Sequence, residues 1–85
     1  MNNEQLSRAV AEKVGGYFFV KGSDIWMSYE TSGRGIPMYA TDWSLIGPEI
    51  EKRKHNYDFR LRMVHYAIEL DEQIPRAACL AILEE

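Results

Sequence analysis

The chain has a single cysteine, three prolines and no long hydrophobic run among its 85 residues. Because Cys79 has no partner for an intrachain disulfide, the sequence indicates a reducing compartment. Its neighbours Ala78 and Leu80 predict a buried, inert thiol, since a reactive thiol needs an electropositive and partly exposed setting. No apolar stretch approaches the roughly 20 residues that span a bilayer, and residues 1–8 are polar. We therefore expect a protein without a membrane segment, in the cytoplasm of a bacterium or of an infected bacterium.

Residue spacings typical of catalytic and metal sites are also missing. His55 and His65 have no cysteine or carboxylate at ligand spacing, so no metal site is predicted. Glu49 and Glu51 do not share a helix face, and a general acid/base pair is therefore not supported. The sequence predicts a protein that is not an enzyme and that needs no cofactor.

The charge is slightly negative overall, at −3, but it is unevenly distributed. A negative chain argues against general nucleic-acid binding, which needs a basic surface. Basic residues nevertheless cluster in the middle of the chain: Lys52, Arg53, Lys54, His55, Arg60 and Arg62. This cluster is either a solvated face or a binding surface for an acidic protein or a nucleic-acid backbone.

The first third of the chain predicts a helix followed by a β-hairpin. Residues 3–14 carry an apolar stripe at helical spacing and end at Gly15. Two aromatic-rich runs then flank a Gly-Ser-Asp turn, which predicts three cross-strand pairs: Phe18–Met27, Phe19–Trp26 and Val20–Ile25. Alternation makes both faces apolar, one with Phe18, Val20, Ile25 and Met27, the other with Tyr17, Phe19 and Trp26. We therefore expect the second face to be covered by a helix or by a partner.

Residues 31–35 have the composition of a loop, and they lack the pattern of a phosphate-binding loop. Beyond them the chain is predicted to be extended up to Tyr39 and then helical. Thr41 is the predicted N-cap, Asp42 favours the first turn, and Trp43 is predicted to anchor a buried stripe. Pro48 must then kink this helix or split off its first turn. We interpret Tyr39, Thr41, Asp42 and Trp43 as a structural anchor; the alternative is an exposed docking edge.

Residues 57–70 are compatible with two structures. Phe59, Met63, Tyr66 and Leu70 fit a helix stripe, but the segment also alternates strictly on either side of Val64-His65. We favour a second hairpin with its turn there, and one bulged strand is a further alternative. In a strand, Arg60 and Arg62 lie on the same side, opposite Phe59 and Leu61.

Pro75 suits the start of a last helix, which is apolar nearly all round and is predicted to be buried. The order becomes α-ββ-α-ββ-α in one domain, residues 1–85. The predicted fold is of the α+β class, a small three-layer α/β/α sandwich with an antiparallel sheet of about four strands.

Three segments carry a resemblance to a known family. They are the first helix (residues 6–15), the Tyr-x-Thr-Asp-Trp of residues 39–43 with the Gly-Pro-x-Ile-Glu of 47–51, and the Pro-x-Ala-x-Cys-Leu-Ala of 75–81. Together they resemble the phage ABA-sandwich domain family of small phage and prophage proteins. The chain departs from that pattern at residues 63–65, where a glycine-rich turn is expected. The resemblance implies a phage or prophage origin and an α/β/α fold, and it implies no activity or site residues.

The leading hypothesis is a non-catalytic phage or prophage accessory protein that binds a host or phage protein. One form of this activity is inhibition of a bacterial defence system, as by an anti-CRISPR type of protein. The predicted partner-binding residues are Lys52, Arg53, Lys54, Arg60, Arg62 and Trp26. The alternative is a nucleic-acid-associated module that uses the basic cluster, and the third hypothesis is a small enzyme. Both a monomer and a homodimer remain open.

Overall fold

The computed structural model describes all residues 1–85, which form four helices and one three-stranded antiparallel sheet. In chain order the elements are α1 (Asn3–Val14), β1 (Phe18–Phe19), β2 (Ile25–Met27), β3 (Ser32–Arg34), α2 (Trp43–Lys52), α3 (Tyr57–Val64) and α4 (Ile74–Leu83). α3 runs directly into a π-helical segment, His65–Glu69. The α+β class is thus confirmed, whereas the predicted four-stranded sheet and the α-ββ-α-ββ-α order are wrong.

The core is built around α4, which contacts α1, α2 and α3. Its small side chains, among them Ala77, Ala78 and Ala81, are fully buried and let the neighbouring helices approach closely. Pro75 lies in its first turn, as the sequence predicts, where a missing amide proton is tolerated. Helix α1 has a capping box at Asn2 and Gln5, and it packs its buried face against α4.

The first hairpin has the predicted register. Phe18 pairs with Met27 and Phe19 with Trp26, and the amide of Val20 donates to the carbonyl of Ile25 at 2.8 Å. The predicted loop at residues 31–35 is wrong, because Ser32–Arg34 form β3 and pair with β2. Glycine is required within this strand, since a Cβ on Gly33 would lie 2.6 Å from the ring of Trp26.

The predicted second hairpin is wrong, because its residues form α3 and the π-helical segment. Asn56 caps the helix by accepting a hydrogen bond from the amide of Phe59 at 3.0 Å, and Asp58 suits its first turn. Phe59 is fully buried, and Met63 packs against the same core. The sheet consequently has three strands with helices on one face only, in place of the predicted three-layer sandwich.

The junction before α2 differs from the prediction in two residues. Asp42 is the N-cap and accepts a hydrogen bond from the amide of Ser44 at 2.9 Å, whereas Thr41 lies in the preceding turn. Trp43 is not a buried anchor: it is 56% exposed, because the buried part of α2 begins one turn later, at Ile46. Tyr39 is buried as predicted.

Pro48 lies inside α2, where the helix remains continuous from Trp43 to Lys52. A proline here removes one amide donor from the helix, and its ring crowds the preceding residue when that residue is helical. The preceding residue is Gly47, which has no Cβ for the ring to meet. Gly47 therefore lowers one part of the steric cost of Pro48, while the carbonyl of Ser44 still lacks its usual helical donor.

Candidate functional site

The side of the sheet that faces away from the helices is apolar and open. Its apolar residues are Phe18, Val20, Ile25 and Met27, which are between 36% and 71% exposed; Ser32 and Arg34 of β3 border them, because they pair with Met27 and Ile25. We call the four apolar residues the outer sheet face. Alternation places them there together, and no helix covers them. The sequence predicts that both faces of the hairpin are covered, one of them by a helix or by a partner. No helix of this chain covers the outer sheet face.

The opposite side of the hairpin is attached to the helices. Tyr17 and Phe19 pack against the core, and the guanidinium of Arg8 in α1 lies 4.8 Å from the Phe19 ring centroid. Arg8 also donates a hydrogen bond of 2.7 Å to the carbonyl of Ser23. Trp26 packs against Tyr17 with ring centroids 4.5 Å apart and the ring planes tilted by 50°. Trp26, a predicted partner-binding residue, thus packs within the protein on this inner side.

The basic cluster is largely neutralised by neighbouring carboxylates. Lys52 and Arg53 each pair with Glu49 at 3.0 Å, and Lys54 pairs with Glu51 at 2.8 Å. Arg53 also pairs with Glu85, and both acidic partners hold the pKa of its guanidinium above the usual value, the hydrogen bond to Glu85 most strongly. These three cations therefore serve contacts at the end of α2 and between α2 and the C-terminal end.

Arg60 and Arg62 do not lie on a common surface. Two residues along a helix differ by about 200° in direction, so the two side chains diverge. Arg62 reaches α4, where it donates to the carbonyl of Ala81 at 3.3 Å and lies 3.7 Å from Glu84. Arg60 is exposed and makes no ion pair. The prediction that both arginines point the same way is wrong, because the segment is a helix.

Arg60 borders an apolar groove of about 390 Å³ between the end of α2 and α3. Ile50, Phe59 and Met63 form its floor, while Lys54, His55 and Arg60 form its rim. No carboxylate lines this groove. We call these six residues the basic-rimmed groove.

A stripe of exposed apolar residues runs along α3 beside the groove. Its members are Tyr57, Leu61, Val64 and Ile68, which are between 48% and 75% exposed. Sequence reasoning missed this stripe because it favoured strands for residues 57–70. Two signals point to the helix: Asn56 as a cap with Asp58 in the first turn, and the 4-3-4 spacing of the stripe.

Outside these surfaces, the chain contains a buried thiol and a polar cleft. Burial raises the pKa of the Cys79 thiol from 9.0 to about 12, and the cation of Arg76 offsets this only in part. A polar cleft of about 530 Å³ near Lys13 contains charges that are already partnered, such as Glu49 and Arg53. The side chains include no group of three or more histidine, cysteine or acidic residues placed to hold a metal ion. None of the helices combines the length and the apolar character needed to cross a membrane.

Comparisons with known proteins add no relative to this picture. No protein-family model matches the chain, and searches of curated proteins and of solved structures found no match either. The resemblance to the phage ABA-sandwich family therefore stays a prediction.

Proposed function

We propose that the chain is a non-catalytic protein that binds another protein through the outer sheet face. The observation that carries this proposal is the exposure of Phe18, Val20, Ile25 and Met27 on one open face. An apolar patch of this kind is typical of interaction sites on soluble proteins. Burying a wholly exposed side chain of this kind is worth about 1.5–3 kcal/mol. Each of these four is already partly buried, so each would contribute roughly half of that and together they supply part of a binding energy.

The sequence resemblance supports a phage or prophage origin, and with it a bacterial or phage protein as the partner in the host cytoplasm. Inhibition of a bacterial defence system is the form of this activity that we would test first. A nucleic-acid partner has less support, because four of the five predicted basic residues are paired with carboxylates. Free phosphates would have to compete with these ion pairs.

Capture from a bacterial lysate with the tagged full chain, followed by mass spectrometry, tests the proposal. We expect at least one protein to be captured by the native chain and to be lost, by about tenfold or more, with the double variant Phe18→Ser/Met27→Ser. Trp43→Ser is the control, since it removes an aromatic residue that is 56% exposed, against 71% for Phe18, from the start of α2. It should leave capture unchanged.

Equal capture by the native chain and the double variant would contradict the proposal. So would light scattering that finds a dimer in the native chain and a monomer in the double variant, because a second copy would then cover the face. Circular dichroism spectra that match between the variants exclude unfolding as the cause of lost capture.

A further inference from the structure

We propose that the exposed stripe of α3 and the basic-rimmed groove form a second docking surface, which binds an amphipathic helix with acidic residues along one flank. This surface is separate from the outer sheet face. The molecule that it would bind is an apolar-faced helix of another protein with carboxylates beside the apolar face. The proposal is carried by the spacing of apolar side chains on α3, by the adjoining groove and by the unpaired charge of Arg60.

The spacing of the stripe is that of a helix-packing seam. Tyr57, Leu61, Val64 and Ile68 follow one another at intervals of four, three and four residues, which keeps them on one side of the helix. The four positions span about 16 Å at 1.5 Å per residue. The π-helical segment does not break this alignment, because four residues make nearly one full turn in either kind of helix. A partner helix of about three turns can therefore pack along the whole stripe.

The groove adds a pocket beside this seam. Met63 of α3 and Ile50 of α2 give it an apolar floor above the buried Phe59, and its volume of about 390 Å³ is large enough for one bulky side chain. In known helix-in-groove complexes, one face of the bound helix inserts apolar anchors at intervals of three and four residues. One such anchor would fill the groove while its neighbours pack on Leu61 and Val64.

The cation of Arg60 favours a bound helix that carries carboxylates along one flank. Arg60 lies between the seam and the groove and has no carboxylate within 4.0 Å. Lys54, which is paired with Glu51 at 2.8 Å, and His55 lie on the same rim, and Asp58 lies on the other flank of α3, so Arg60 is the free cation here. A carboxylate from the partner would pair with Arg60 at the edge of an apolar surface, where water screens the pair less than in open solution.

A second copy of the chain does not supply that carboxylate. If two α3 helices packed along their stripes in antiparallel orientation, Arg60 would face the flank that carries Arg60 and Ala67 of the other copy. In parallel orientation it would face His65 of the other copy, and the carboxylate of Glu69 beside it is already 3.7 Å from that imidazole. The charge pattern therefore favours a different protein as the source of the helix.

Two designed peptides test this proposal with the full chain. Each has about 18 residues and leucines at seam spacing, and the positions flanking the leucines are all glutamate in one peptide and all lysine in the other. Fluorescence anisotropy should show the glutamate peptide binding at least about tenfold more tightly than the lysine peptide, with weaker binding at higher salt. Arg60→Glu should reverse this preference, and Leu61→Ser should weaken both peptides.

The control is the double variant Phe18→Ser/Met27→Ser, which should bind the glutamate peptide as the native chain does. This separates the second docking surface from the outer sheet face, so either proposal can fail alone. Equal binding of the two peptides, an unchanged preference in Arg60→Glu, or no binding of either peptide would each overturn the proposal. Val64→Ser serves as the seam variant if Leu61→Ser alters the circular dichroism spectrum.

Discussion

The Phe59→Ala variant is expected to lose about 3–5 kcal/mol of unfolding free energy, measured by urea denaturation. Phe59 is the largest fully buried side chain, and α3 and α4 pack against each other around it. The guanidinium of Arg53 also lies 5.9 Å from its ring centroid. Because small domains have only about 5–15 kcal/mol of stability in total, the loss should bring the variant close to the unfolding threshold.

Leu61→Ala and Tyr57→Ala are the matched controls on the same helix. Both side chains are at least half exposed, so each substitution should cost less than about 1 kcal/mol. In a β-strand, by contrast, Phe59 and Leu61 would lie on the same face and their substitution would have similar effects. A Leu61→Ala variant as unstable as Phe59→Ala would contradict the helix, and with it the stripe proposed for docking.

Cys79 should react with a thiol reagent about a thousandfold more slowly in the folded chain than in urea at pH 8. With a pKa raised from 9.0 to about 12, the fraction of reactive thiolate falls by that factor, and burial adds a barrier to the reagent. The rate of labelling by a chromogenic disulfide, followed by absorbance, measures this protection. Labelling within tenfold of the unfolded rate would show that the α4 core opens freely.

The same pKa shift predicts how stability depends on pH. The unfolded chain loses the Cys79 proton near pH 9.0, whereas the folded chain keeps it up to about pH 12. Between these values the unfolded state binds fewer protons, so this group makes the unfolding free energy fall as the pH rises. Below pH 9 its contribution is constant. In Cys79→Ala, this component of the alkaline loss should be missing.

The first hairpin shows what the sequence can determine. Its short turn and its alternating aromatic residues leave few registers that bury one face, and the structure has the predicted pairing of Phe18 with Met27. The capped first helix and the buried last helix were likewise predictable, because each carries local start signals and an apolar pattern of one clear period. In these segments, local chemistry and tertiary packing require the same structure.

Residues 57–69 show where such reasoning fails. Phe59, Leu61 and Met63 alternate like a strand, but in the structure Leu61 is exposed and only the other two pack inward. A sequence does not show which of its apolar residues are exposed, so one exposed residue between two buried ones, such as Leu61, can imitate the alternation of a strand. β3 was missed for a related reason, because Ser32–Arg34 form a strand only through pairing with β2 and the approach of Trp26 to Gly33.

The candidate sites could be predicted only in part. The two apolar faces of the hairpin followed from alternation alone, but which face stays open depends on how α1 contacts Phe19. The basic residues were identified as a cluster, yet their pairing with Glu49, Glu51 and Glu85 depends on the helix structure and on the position of the C-terminal end. Arg60 alone keeps the role of a free cation that the sequence suggested.

Site-specific photo-cross-linking in bacterial cells shows whether the outer sheet face binds a protein. Phe18 is replaced by benzoylphenylalanine in the full chain, and Trp43 is replaced in the same way as the control. We expect a discrete covalent adduct with one protein from position 18 and none from position 43. No adduct from position 18, or equal adducts from both positions, would contradict binding through the outer sheet face.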